Sequence, residues 1–468
     1  MPPNVVIDRH LKNQQNYKGG TEKVKENISQ KATKSKGQIV EVREQFTGSN
    51  LTRFGGAGLI RRFFRRHNVE QILDRNIRIE GRRRGKYSVS KLLVSCLYGM
   101  LLGYSRPYQM KTLRADKVFQ KIVGFCSFPV QSTISRFLSS VRVSVAHQIG
   151  ALNFDLIMKL RKRYKGYREI TLDLDSHVIP VYGDQQRAAT GYNPKKRGRK
   201  SYHPLVCFVG ETRDYIGGML RSGKHHSSYG CVEFIKGVVR KLPSHIKRIR
   251  LRADSGFFNT ELIKYLVKES IEFAIVVPMQ PWVQRKIQHM TSWTSIGWGI
   301  GVGQCDYIVN SNTTLRMVVV RQRVRANRGP RKQLRLLNID EVKYDYQVIV
   351  TNSGKSPEGV WHFYNQRACC ENFIKEGIYS LGLDKVVSHR YAGNCTWFEL
   401  LMLGYNLMNT FKEEVLNHNR AKAMICTIRE RLFLIPGKLV HTARRWVLKL
   451  EATWAYREEY EQALARVG

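Results

Sequence analysis

Four acidic residues, in three segments of this chain, have the types and surroundings for phosphate chemistry. Asp173 and Asp175 alternate along EITLDLDS (169–176), so both carboxylates fall on one face of a predicted strand. Asp254 closes IRLRAD directly before Ser255 and Gly256, where a strand gives way to a loop. Glu371 sits in FYNQRACCENFIKEG (363–377), beside Cys369 and Cys370. On a helix, Tyr364, Arg367, Glu371 and Lys375 share one stripe, with Phe373, Ile374 and the two thiols on the adjoining apolar face. Hard carboxylate oxygens suit Mg²⁺ or Mn²⁺. Phosphodiester cleavage by two such ions, held about 3.5–4 Å apart, needs a small cluster of acids from separate elements. Taken singly, each Asp reads better as a turn former or a helix cap, and Glu371 has the common alternative of a surface salt-bridge ladder. The two cysteines read as packing residues, because nine cysteines without a CxxC pair make neither a zinc site nor a disulfide framework.

Charge narrows the choice of substrate. The chain of 468 residues carries 79 Lys+Arg against 37 Asp+Glu, a formal net of +42, and such a field gathers polyanions, nucleic acid first. The N-terminus has no apolar signal-peptide core, and the most apolar stretch, KLLVSCLYGMLLGY (91–104), is too short to span a bilayer. A reducing, cytoplasmic compartment is expected, with no membrane partner.

The elements that must position these residues follow from periodicity. Residues 1–45 are polar and Lys-rich, a flexible basic arm. Residues 46–160 read as a helical DNA-binding domain in which Arg61, Arg62, Arg65, Arg66 and the run Arg82–Arg84 meet phosphates. Ser88 or Ser90 starts one of its helices, and Ser132 or Thr133 caps another. At residue 169 the pattern becomes three strands, a helix, a strand, a helix and a strand, which is a mixed α/β sheet with helical cover. The catalytic domain is assigned to 161–280 and 344–390, a β-rich insertion to 281–343, and a helical C-terminal region to 391–468. Ser356, Pro357 and Glu358 open a helix just ahead of Glu371.

DLDS…VYG, GYNPKKRGRKSYHPL, RADSGF and YNQRACCENFIKE occur in that order, and FGGAGL (54–59) and TISRFL (133–138) precede them. Together they resemble bacterial insertion-sequence DDE transposases, in the DDE domain group 1-like set whose RNase H-like core carries a β-rich insertion before its final Glu. The resemblance covers roughly residues 50–415. It implies Asp175, Asp254 and Glu371 as catalytic, metal-holding residues for two Mg²⁺ or Mn²⁺ ions. Tyr364 and Arg367 complete its Tyr–x2–Arg–x3–Glu signature, and Lys375 is a third supporting residue. Two departures stand out: position 378, where some relatives have Lys, is Ile, and His177 stands where Thr is frequent. Asp173 remains a rival to Asp175.

The implied activity is metal-dependent cleavage at insertion-sequence ends, then strand transfer of the freed 3′-OH into target DNA, cut-and-paste. The implied partners are double-stranded DNA, as terminal inverted repeats and as target, and a second copy of the chain in a homodimer. The site of action would be the nucleoid of a bacterial cytoplasm. Backbone contacts are assigned to Lys195, Lys196, Arg197, Arg199 and Lys200 in one loop, and to Arg323, Arg325 and Arg328 in the insertion. Trp293 and Trp298 are candidates for stacking on a flipped base, against the ordinary alternative of buried aromatics. An RNase H-fold nuclease that cuts without joining is the enzymatic alternative. A domesticated, non-catalytic DNA-binding protein is the other.

Overall fold

The alternating run that carries Asp173 and Asp175 lies inside a nine-stranded sheet. The computed structural model describes residues 42–81, 85–160, 162–193, 196–297, 299–311, 313–323, 344–417, 420 and 422–468. Ser49–Gly468 is one compact unit, and 42–48 are the described part of the other, Met1–Gly48. Strands of the sheet are β1 (Glu169–Ser176), β2 (Leu205–Val209), β3 (Tyr215–Met219), β4 (Arg248–Ala253), β5 (Glu272–Val276), β6 (Thr294–Gly297), β7 (Ile300–Asn310), β8 (Thr313–Arg323) and β9 (Tyr344–Thr351). Their order is β3-β2-β1-β4-β5-β9-β8-β7-β6. β1 pairs β4, and β4 pairs β5, in parallel; the other neighbours are antiparallel. Three antiparallel strands followed by two parallel ones make the RNase H-like core that the motifs imply. The described strands of the 281–343 stretch continue this sheet, joined to β5 through β9.

One face of the core packs on the helices Cys231–Lys241 and Thr260–Lys268 through Ile235, Leu262 and Leu266. The other face meets a helical body that draws on both ends of the chain. Helices Ala57–Arg66, Val89–Leu101 and Gln131–Ser140 share one apolar cluster with the buried helix Tyr391–Val415. Ser88 caps its helix by accepting from the Lys91 N–H at 3.1 Å. Ser132 and Thr133 do not cap: that helix starts at Gln131, and both lie inside its first turn. The pair Gly55-Gly56 of the FGGAGL motif is there for closeness. A Cβ on Gly56 would run into the Leu432 carbonyl, and one on Gly55 would stand 2.7 Å from the Ile435 carbonyl. Within 391–468 the helices are interrupted by a hairpin, Gly437–Thr442 and Arg445–Leu450. Among the described residues, no helix is long and apolar enough to cross a membrane.

The helix Tyr391–Val415 is tied to β3 by polar groups. Asn406 bonds both the N–H and the C=O of Tyr215, at 2.9 and 2.7 Å. Glu399 accepts from the Tyr215 hydroxyl at 3.1 Å, while its Oε2 has no partner. Burial pushes the Glu399 carboxyl up to about 8, against the pull of the Tyr215 hydrogen bond and of Lys241. The folded protein therefore keeps a proton that the unfolded chain releases near the ordinary carboxyl value of about 4.3. The stability it contributes is complete below that value and is lost as pH rises through about 8. Glu399→Gln should flatten the fall of Tm across this window. Above it the variant should be the more stable by on the order of 2–4 kcal/mol. A gap between wild type and variant that stays constant from about pH 5 to pH 9 would show that Glu399 ionises normally.

Candidate active site

The parallel register of β1 and β4 brings the two aspartate positions together. Leu174 lies opposite Ala253, so Asp175 and Asp254 each stand one residue past the last pair. The same register sets Asp173 against Arg252. Asp173 is 0% exposed, and Arg252 grips both its oxygens, at 2.6 and 2.8 Å. Arg252 also donates to the Phe363 carbonyl at 3.0 Å and to Gln366 at 3.1 Å, so it ties β1 and β4 to the helical segment above. Asp173 is thus already neutralised. Asp175 is not engaged by Arg252 and is 5% exposed.

Glu371 arrives on a helix held down by its apolar side. Ser356 caps Pro357–Asn365, accepting from the Gly359 N–H at 3.1 Å, with Pro357 in the first turn as its fixed φ favours. Val360, Phe363 and Tyr364 pack on the β5–β9–β8 part of the sheet. The chain then tightens: the Arg367 N–H bonds Tyr364 O, and the Cys370 N–H bonds Arg367 O, both at 2.8 Å. This divides the single expected helix into Pro357–Asn365 and Ala368–Glu376, yet Arg367, Glu371 and Lys375 still share a stripe. Cys370 is fully buried, and burial drives its thiol well above the usual range, so it packs rather than reacts.

Arg367 is where the three acids meet. Its guanidinium lies 3.0 Å from Asp175, 3.7 Å from Asp254 and 3.9 Å from Glu371, and Lys375 is 3.9 Å from the far oxygen of Glu371. The Arg367 side chain is 7% exposed, against 39% for Asp254 and 56% for Glu371. Burial works against the guanidinium charge, but Asp175, Tyr364 and Asp254 outweigh it and hold its pKa above the normal range. Burial lifts Asp175 to about 7; Arg367 opposes the rise, while Asp254 and Glu371 add to it. The site is thus a half-open acidic bowl with a fixed cation at its floor. Among the described residues, no group of three or more His, Cys, Asp or Glu is drawn close enough to hold a metal ion by itself. The donor chemistry of Asp175, Asp254 and Glu371, three hard carboxylates on one cationic centre, fits a divalent ion; their spacing is that of acids gathered about a guanidinium.

Several supporting residues escape a reading of motifs. Arg252 is one, although complementary EITLDLD and RIRLRAD, once paired, would have exposed it. Arg221 is another: it is buried and donates to the carbonyls of His203 (2.9 Å), Ser227 (2.8 Å) and Tyr229 (2.6 Å). It thereby fixes the loop whose Ser227 bonds Ser176, next to Asp175, at 3.0 Å. His203 bonds the same Ser176 at 3.0 Å. A Cβ on Gly256 of RADSGF would stand 2.8 Å from Ser227, which explains a glycine two residues after Asp254.

The other predicted contact residues have their own neighbours. Lys196, Arg197, Arg199 and Lys200 are exposed; Lys196 and Arg199 gather on Tyr182, and Lys200 pairs Asp184 at 2.7 Å. Arg323 is exposed at the end of β8. Trp293 is half-buried under Arg321, 4.2 Å from its ring centre. Lys195, Trp298, Arg325, Arg328 and Arg82–Arg84 lie outside the described residues.

No curated protein matches the chain. Among solved structures, a piggyBac transposase synaptic complex with hairpin DNA matches at 10% identity and a TM-score of 0.44, over 80% of each chain. A Drosophila P element transposase strand transfer complex matches at 12% identity and 0.23, over 44% of this chain and 43% of that one. A Mos1 mariner paired end complex with Mn matches at 14% and 0.17, over 45% and 65%. The family model described as transposase DDE domain group 1 matches residues 34–468, nearly the full length, and the chain therefore belongs to that family of DNA transposases.

Proposed function

We propose that Asp175, Asp254 and Glu371 form the acidic centre with which this transposase cuts DNA at the ends of a mobile element and joins the freed 3′-OH to a target. The observation that carries the assignment is that three carboxylates from three separate elements converge within 4 Å of one guanidinium. The DDE family works with divalent metal, and two Mg²⁺ or Mn²⁺ ions would be held by these three side chains. Bound there, the ions supply Lewis-acid charge at the phosphate and activate the attacking oxygen. The chain's own residues do the rest. Asp173 and Arg252 fix the two strand ends so that Asp175 and Asp254 stay in register. Arg367 holds the acids together at the floor of the bowl, and its planar fork suits a phosphate oxygen. Lys375, beside the exposed Glu371, extends that anion-binding stripe toward DNA. The loop of Lys196, Arg197, Arg199 and Lys200, with Arg323 and Trp293, contacts the duplex farther along. A homodimer would hold two element ends at once, inside a bacterial cell.

The test uses end-labelled DNA carrying the element's inverted repeats, with purified protein and Mg²⁺ or Mn²⁺. Wild type should give both cleaved ends and joined product, and Asp254→Ala or Glu371→Ala should lower both by roughly 10³-fold or more. Undiminished cleavage by either variant would remove the acidic centre. Cleavage by wild type without joined product would place the chain among nucleases that cut only.

A further inference from the structure

The hairpin Gly437–Leu450 has no part in the acidic site, yet its composition is unusual. GKLVHTARRWVLKL carries Lys438, Arg444, Arg445 and Lys449 and no acid. Its root is fixed: Lys438 and Gly437 pair with Leu51 and Thr52, Leu439 is buried, and Leu450 reaches Gly55. Its far end is free of such packing, with residues 441–447 all exposed. Thr442 pairs Arg445, so the link is the two residues Ala443 and Arg444, at φ 46° and 62°. Asn-Gly would ordinarily take that left-handed turn. Here the turn is made without glycine, and it puts two consecutive arginines at the tip.

Across from the hairpin's Leu439, Trp446 and Leu448, the helix Ala57–Arg66 presents Arg61, Arg62, Arg65 and Arg66 with no acid among its ten residues. Between helix and hairpin runs a cleft of about 660 Å³, walled by Arg61, Arg62, Arg65, Lys121, Leu439 and Trp446. No described residue lining it is a carboxylate. Trp446 is 56% exposed, and the Lys121 ammonium sits 3.7 Å from its ring centre. Only Arg61 of the three helix arginines lining the cleft has a short internal bond, 2.8 Å to the Ile122 carbonyl; Arg62 and Arg65 are turned outward.

We propose that this cleft and hairpin are a second DNA-binding surface: the arginine tip enters a groove of duplex DNA while Arg62 and Arg65 take flanking phosphates. Charge complementarity selects the occupant. A cleft walled by four cations and no carboxylate, with two further arginines on the hairpin, repels another copy of so basic a chain and attracts a polyanion. A two-stranded ribbon has the width a duplex groove admits, and arginine is the side chain suited to phosphate. The proposal rests on the reading of the chain as one that acts on DNA, but it uses none of the acidic-site residues.

Full-length protein is titrated with a fluorescent duplex of arbitrary sequence, without divalent metal, across about 50–200 mM salt. The tip variant Arg444→Ala/Arg445→Ala/Trp446→Ala should bind roughly tenfold or more weakly. Its plot of log K against log salt should be shallower by about 2, one for each phosphate that the two arginines no longer neutralise. Arg62→Ala/Arg65→Ala, which leaves the hairpin intact, should move in the same direction. Arg240→Ala/Lys268→Ala, two exposed cations on the helices that cover the sheet, should keep the wild-type slope. An unchanged affinity and slope in both cleft variants, with wild type still binding, overturns this surface and leaves the transposase reading untouched. An equal loss in the Arg240/Lys268 control overturns it too, because the effect would then be net charge alone. Wild type that binds no duplex at all removes the DNA-acting premise itself. If the tip variant loses binding only to phosphatidylserine vesicles, the face belongs to a membrane surface and the proposal fails.

Discussion

Asp175→Ala should abolish DNA cleavage while leaving the fold intact, and Asp173→Ala, two residues earlier on the same strand, should do most of its damage to the fold. Both carboxylates face the same side of β1, but their surroundings assign them different work. Asp173 is fully buried and held at two points by Arg252, whose remaining nitrogen donates to both Phe363 and Gln366. Removing it strands a guanidinium that cannot lose its proton in a dry interior. Breaking such a pair by deleting one partner costs about 3–5 kcal/mol. Asp175 is a carboxyl that burial has lifted to about 7, so its charge is costly to keep. Its loss leaves Asp254 and Glu371 to face Arg367, and the change in stability should stay within about 1 kcal/mol. Cleavage should nonetheless fall by roughly 10³-fold or more if Asp175 is the first catalytic acid. Urea unfolding and gel-based cleavage of the two variants separate the roles. Full cleavage by Asp175→Ala, with a stable but inactive Asp173→Ala, would reverse the assignment.

That pair also marks how far the sequence alone could reach. Alternation in EITLDLDS and the strand-to-loop step at Asp254-Ser255-Gly256 are local signals, and both carboxylates stand where those signals put them. So does the Ser356–Pro357 helix start, because caps act over three residues. The different partners of Asp173 and Asp175 follow from the β1–β4 register, a long-range fact that single-strand patterns do not contain. The break at Gln366–Arg367 was hidden for another reason. No glycine or proline marks it, and the tight turn keeps the stripe spacing that suggested one helix. The hairpin at 437–450 was missed because Ala443-Arg444 is the reverse of a turn signal. The insertion's strands were legible as strands, but their joining the main sheet through β9 depends on partner choice across the chain.

The second large effect concerns the cation at the floor of the site. Arg367→Ala should destabilise the metal-free protein and make its stability answer more steeply to divalent ions. In the native arrangement one guanidinium lies within 4 Å of all three acids, and Asp254 and Glu371 already push Asp175 upward despite it. Without it Asp175 and Asp254 face each other and Glu371 in a partly buried bowl, with Lys375, 3.9 Å from the outer oxygen of Glu371, the cation left beside them. Unit charges of like sign roughly 5 Å apart repel by about 3 kcal/mol at an effective dielectric near 20. Asp175 can escape part of that by keeping its proton, so a loss of about 2–4 kcal/mol is expected at neutral pH, and less in acid as the carboxyls protonate. A divalent ion added to wild type has to share the acids with Arg367; added to the variant, it takes the vacated role. Saturation at about a hundred times Kd returns about 2.7 kcal/mol, so Mn²⁺ or Mg²⁺ should raise the Tm of Arg367→Ala by several degrees more than that of wild type. Calcium, with the same charge, serves as a probe that needs no turnover. Thermal melts in chelator and in each ion decide the matter. If the variant melts with wild type in chelator, Arg367 is not the counter-charge that holds the acids together. If it melts lower but gains no more from the ions than wild type does, the three acids are not a cation site, whatever they do for DNA.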